Sequence, residues 1–74
     1  MNLSELKPKE RAKILRIQGS GGISRRMLDM GCVRGTLVDV LKVAPLGDPL
    51  EIRIKGYNLS LRKEEARGIE VEKI

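Results

Sequence analysis

Residues 23–49 decide the fold. They read Ile23-Ser24-Arg25-Arg26-Met27-Leu28-Asp29-Met30-Gly31, then Cys32-Val33-Arg34-Gly35-Thr36, then an apolar alternation from Leu37 to Ala44, and finally Pro45-Leu46-Gly47-Asp48-Pro49. In the first part Ile23, Met27 and Met30 recur at i, i+4 and i+7 with Leu28 alongside, while Arg25, Arg26 and Asp29 take other faces. That spacing predicts a short amphipathic helix of about two turns. Ser24 is a candidate N-cap with Ile23 as the staple residue before it. Gly31 follows the last periodic residue, where a left-handed conformation closes a helix. A tight turn at Arg34-Gly35 then opens a strand over Thr36–Ala44, and a stiff Pro/Gly loop ends it. In that strand Val38 and Val40 share one face and Leu37, Leu41 and Val43 the other.

Outward from this unit the pattern is β. Upstream, Leu3-Ser4-Glu5-Leu6-Lys7-Pro8 reads as one helical turn or an extended clip halted by proline. Arg11–Gln18 is a first strand whose apolar phase switches from Ala12 and Ile14 to Leu15 and Ile17, which predicts a bulge or bend near Leu15-Arg16. Gly19-Ser20-Gly21-Gly22 reads as a loop open to positive φ. Downstream, Leu50-Glu51-Ile52-Arg53-Ile54-Lys55 alternates cleanly, so one face is buried and one is wet. Gly56-Tyr57-Asn58 is read as a turn, and Leu59-Ser60-Leu61-Arg62 returns with the same period. Lys63–Gly68 suggests a charged helical turn, and Ile69–Glu72 a last short strand. Leu50, Ile52, Ile54, Leu59 and Leu61 are the expected core. The fold class is mainly β: five short strands with one short helix between the first and second suggest a small, strongly bent antiparallel barrel.

Size and composition set limits on function. The 74 residues make a single domain over 1–74, and a chain this short buries only about 60% of the surface its unfolded form exposes. With no Phe, no Trp and Tyr57 as the one aromatic, the core is aliphatic. No apolar run approaches the roughly 18 residues of a membrane span, and no signal-peptide layout is present, so a cytoplasmic protein is expected. Cys32 stands alone and cannot form an internal disulfide; it reads as a small, partly buried apolar residue. The net charge of +5 is lopsided: residues 1–37 carry eight basic and three acidic side chains, whereas residues 38–74 carry seven of each. An acidic partner would meet the first half.

Catalytic chemistry is not assembled. There is no histidine to serve as a base, one cysteine, and a Gly19–Gly22 stretch that lacks the Lys-Ser/Thr ending of a phosphate loop, so neither a catalytic set nor a cofactor is expected. Metal ligands are sparse, because soft transition metals prefer imidazole and thiolate. The acidic run Glu64, Glu65, Glu70 and Glu72 is interleaved with Lys63, Arg67 and Lys73, as on a solvated edge. The charge excess suits phosphate contacts, but single-strand recognition leans on aromatic stacking, and Tyr57 alone is a poor platform.

Taken in order, these segments resemble the FeoA family of ferrous-iron transport proteins. The resemblance runs from Leu3-Ser4-Glu5-Leu6-Lys7-Pro8 through Arg26-Met27-Leu28-Asp29-Met30-Gly31, Val33-Arg34-Gly35-Thr36 and Pro45-Leu46-Gly47-Asp48-Pro49. It continues through Leu59-Ser60-Leu61-Arg62 and Glu65-Ala66 to Ile69-Glu70-Val71. It implies an SH3-like barrel of five to six antiparallel strands with a helical insertion, iron homeostasis and transition-metal-ion binding as family properties, and a cytosolic accessory role beside FeoB, a permease with a GTP-binding domain. Similar domains end iron-dependent repressors, but no winged-helix region precedes this one. Lys9 stands where the family often has glycine, and Met27 where a longer or basic side chain is common. A monomer or weak oligomer is expected. The expected partner-binding residues are Arg25, Arg26, Leu28, Met30 and Arg34 at the helix end and its neighbouring loops, with Pro45, Leu46, Gly47, Asp48 and Pro49 in the following loop as the site should the helix prove structural. Two alternatives stay open: a small basic nucleic-acid-binding barrel, and a weak metal-ion-responsive carrier.

Overall fold

The computed structural model describes residues 1–18 and 22–74. Five strands, β1 (Arg11–Ile17), β2 (Leu37–Val43), β3 (Leu50–Ile54), β4 (Tyr57–Leu61) and β5 (Ile69–Lys73), form one antiparallel sheet in the order β4-β3-β2-β1-β5. Helix α1 (Gly22–Asp29) lies between β1 and β2, and the single turn α2 (Lys63–Ala66) lies between β4 and β5. The expected mainly β architecture is what forms. The loop expected over residues 19–22 falls outside the described residues except for Gly22, which already belongs to α1.

Alternation places the core. Val38 and Val40 of β2, Leu50, Ile52 and Ile54 of β3, and Leu59 and Leu61 of β4 are all buried, and Ala12, Ile14, Ile69 and Val71 continue that face into β1 and β5. The five residues expected inside from the β3–β4 pattern are all there. Two bulges bend the sheet. One lies between Ile14 and Arg16, against β5, where the phase switch at Leu15 foretold it. The other lies between Val40 and Lys42, against β3. The second corrects the expected face pattern. Leu37 and Leu41 do point outward, but the extra residue at Leu41 turns Val43 back toward the core.

The β3–β4 turn also sits earlier than expected. Lys55 (φ 51°) and Gly56 (φ 81°) form a two-residue connection, so Tyr57 and Asn58 belong to β4 rather than to the turn. Two consecutive positive φ values match the right-handed twist of the flanking strands. The register Ile54↔Tyr57, Ile52↔Leu59, Leu50↔Leu61 then keeps the apolar residues on one face.

The start of the chain closes the barrel. Leu3–Glu5 form a 3₁₀ turn capped reciprocally: the Asn2 side chain accepts from Ser4 N–H, and Glu5 Oε2 accepts from Asn2 N–H at 2.7 Å. Leu3 and Leu6 plug into the core. Met1 carbonyl accepts from Val71 N–H, and Asn2 bridges Glu70, so the outer edge of β5 is partly covered. Glu10 pairs with Lys73 and accepts from Lys7 N–H, and these contacts hold its carboxyl below the usual range.

Lys9 carries a left-handed backbone (φ 72°), fixed by its N–H donating to Val40 carbonyl at 2.8 Å. This is a conformation that glycine adopts at no steric cost. A side chain in the left-handed region costs about 1–2 kcal/mol, part of which glycine returns as unfolded-state entropy. Lys9→Gly is therefore expected to stabilise the domain by about 0.5–1 kcal/mol, read as a rise of a few degrees in thermal midpoint.

Candidate partner-binding surfaces

Helix α1 is anchored through one stripe. Met27 is fully buried, and Ile23 and Met30 pack half-buried against the core. Ser24 is not the N-cap: it is the third residue of α1, on its buried side, and its hydroxyl donates to Gln18 carbonyl at 3.3 Å. The helix ends in a Schellman closure. Gly31 (φ 82°) donates to Leu28 carbonyl at 3.0 Å, and Cys32 N–H donates to Met27 carbonyl at 3.0 Å. The side chains of Met27 and Cys32 are both buried, which is the apolar contact this motif carries. Burial pushes the Cys32 thiol up from its ordinary value, partly offset by the Lys55 charge. A neutral, enclosed thiol is a packing group, not a nucleophile.

Closing the helix this way turns the next residues outward. Val33 carbonyl accepts from Thr36 N–H, Thr36 Oγ1 accepts from Val33 N–H, and Gly35 takes φ 92° at the third position of the turn. Thr36 therefore belongs to the turn, and β2 starts at Leu37. Around this end of the barrel Arg25, Arg26 and Arg34 are exposed, with Leu28 at 58% and Val33 at 62% exposure. Among the described residues the ion pairs are Arg11–Asp39, Lys13–Glu72 and Lys73–Glu10, so these three arginines carry uncompensated charge. Val33 was not anticipated; its place beside the Arg34-Gly35 turn was the only hint in the sequence.

The Pro45–Pro49 loop is folded on itself. Gly47 N–H donates to Ala44 carbonyl at 2.7 Å, and Ala44 N–H donates to Pro49 carbonyl at 3.1 Å. Gly47 has φ 84°, and the Asp48–Pro49 peptide is cis. Asp48 has structural employment, because its Oδ1 accepts from Lys63 N–H at 3.0 Å and so satisfies a free donor at the start of α2. Leu46 stands 93% exposed at the tip. Beside the loop lies a shallow groove of about 190 Å³ lined by Lys42, Ala44, Pro49, Glu51 and Ser60.

The ten candidate residues fall into two groups. The helix end and Arg34 precede β2, the loop follows it, and six residue steps at about 3.3 Å set them roughly 20 Å apart along the strand. Met30 differs from Leu28 in being half-buried against the core. Among the described residues no three His, Cys, Asp or Glu side chains converge as a metal site would require.

Comparison with known proteins agrees with this architecture. The FeoA domain profile matches residues 1–73. The chain belongs to the FeoA family. It is 49% identical over 74 residues to the Fe(2+) transport protein A/Fe(2+) transporter FeoB fusion protein of Porphyromonas gingivalis, covering 100% of this chain but only 9% of that protein. The solution structure of FeoA from Chlorobium tepidum superposes with a TM-score of 0.89 at 43% identity, covering 100% of this chain and 70% of that one. The zinc-complexed crystal structure of Stenotrophomonas maltophilia FeoA, described as a prokaryotic SH3 domain protein, gives a TM-score of 0.84 at 30% identity, covering 97% and 89%. The family is linked to ferrous iron transport, and the SH3-like fold is shared.

Proposed function

We propose that this FeoA protein is a non-enzymatic cytosolic accessory of ferrous iron uptake that docks on the cytoplasmic part of a FeoB-type permease and regulates it. The observation that carries the reading is the basic, partly apolar end of the barrel: Arg25, Arg26 and Arg34 free of ion pairs beside exposed Leu28 and Val33. A relative that holds the two components in one chain supports FeoB as the partner. No helix among the described residues is long and apolar enough to cross a membrane, which suits a role beside a membrane protein rather than within it. The arginines supply steering toward an acidic surface, and Leu28 and Val33 supply the apolar contact.

Charge reversal tests this. Arg25→Glu combined with Arg26→Glu removes four units of charge from an exposed face, so the thermal midpoint is expected to stay within a degree or two. Association with the permease's cytoplasmic part is expected to slow by roughly 10-fold or more at low salt, and iron uptake to fall with it. A doubly reversed variant that binds and supports uptake like wild type would move the docking surface to the Leu46 loop.

A further inference from the structure

The two edges of the sheet are treated differently. The β5 edge is partly covered by Met1 and Asn2, whereas β4 has β3 as its only strand neighbour among the described residues. In a hairpin with a two-residue turn, Ile54/Tyr57, Ile52/Leu59 and Leu50/Leu61 are the hydrogen-bonded pairs. The N–H and C=O groups of Asn58 and Ser60 therefore point away from β3, along the open edge. Such edges are usually blunted by a charge, a proline or a bulge. Residues Tyr57-Asn58-Leu59-Ser60-Leu61 contain none of these, and β4 is the one strand of the five without a charged side chain.

We infer that the open edge of β4 pairs with the same strand of a second copy, antiparallel, about a two-fold axis at Leu59. The register is self-complementary. Asn58 faces Ser60 of the second copy and Ser60 faces Asn58, so the four outward-pointing groups of each strand find partners in four new hydrogen bonds. On the outer face Asn meets Ser. On the inner face Leu59 lies on the axis and Leu61 opposite Tyr57 of the second copy, but both leucines stay in their own cores, so Tyr57, 63% exposed in the monomer, is the side chain of that face left to be covered. A chain of net charge +5 repels its copy, and β4 is the strand where that repulsion is least local. A five-residue edge buries less than the roughly 1,200–2,000 Å² of a standard interface, so the pairing is weak and favoured by salt.

The test is sedimentation together with amide exchange on the intact protein from dilute solution up to about 1 mM, a range that covers weak association. The expected result is a concentration-dependent dimer that strengthens with added salt, with slowed exchange at Asn58 and Ser60. Ser60→Pro deletes an outward N–H without touching the β3 ladder, so it is expected to fold normally and lose the dimer. Asn58→Lys, which places a charge on the edge, is the second variant should the proline disturb folding. A strictly monomeric wild type, or a dimer that survives in the folded variant, would overturn the pairing. So would protection of Asn58 and Ser60 that appears only when the permease's cytoplasmic part is added, since the edge would then belong to a partner's strand.

Discussion

Ile52→Ala is expected to leave much of the domain unfolded at physiological temperature. Ile52 is fully buried at the centre of β3, opposite Val40 on one side and Leu59 on the other. Truncating such a residue costs about 2–5 kcal/mol, from the lost transfer energy plus the cavity left behind. At typical per-residue stability, 74 residues hold only about 4–11 kcal/mol in total. With no Phe or Trp, the aliphatic neighbours must fill the space, and each is itself held in strand register. Urea unfolding checks the claim, with Leu46→Ala as the comparison. Leu46 is 93% exposed, so its loss is expected to move stability by no more than about 0.5 kcal/mol. Equal midpoints for the two variants would contradict the core assignment.

The second large effect is expected at Gly68, where a side chain has no space. A Cβ there would stand 2.8 Å from Gln18 carbonyl oxygen and 3.5 Å from that of Glu65, both backbone atoms. Neither can swing aside. Gly68 carbonyl also accepts from Gln18 N–H at 2.6 Å, so moving the strands apart breaks the bond that starts the β1–β5 ladder. Gly68→Ala is expected to destabilise by about 1–3 kcal/mol, near the top of that range because backbone rather than a side-chain tip must yield. Gly22→Ala is the control. Nothing lies within 4 Å of its Cβ position, and alanine favours a helix, so that substitution is expected to be neutral or stabilising. Comparing thermal midpoints of the pair separates close approach from a general need for glycine.

The parts of the fold that were legible in the sequence are those where one local rule acts alone. Strict alternation in Leu50–Leu61 gave both faces of the hairpin, and Gly31 gave the helix end. The bulge at Leu15 showed as a break in phase. The bulge at Leu41 left no such mark, because Leu37, Leu41 and Val43 fit an unbroken alternation, and only pairing with β3 reveals the extra residue. Ser24 has the composition of a cap, but the hydroxyl is drawn inward to Gln18 carbonyl by tertiary packing. The β3–β4 turn was placed late because glycine was taken as its first residue, whereas Lys55 shares the left-handed region with it. For the candidate partner-binding residues, the sequence shows Arg34 and Pro45 only as near neighbours, and it is the length of β2 between them that sets them apart. Asp48 was read as available, and its tie to Lys63 N–H is a contact across 15 positions that no local pattern announces.

The strand order β4-β3-β2-β1-β5 has a consequence for how the chain acquires its shape. The β2–β3–β4 meander can zip up locally, from two short-range hairpins. β1, by contrast, is half satisfied until residues 69–73 exist, since its second ladder is made with β5. The Leu3–Leu6 plug waits on the same event, because Met1 and Asn2 bond to Val71 and Glu70. On the ribosome β1 can pair with β2 as soon as that strand emerges, but its other edge stays open until β5 follows, so closure of the barrel comes last. Loop closure over such a span must be met before its contacts reward it, which places folding on the order of milliseconds to seconds rather than microseconds.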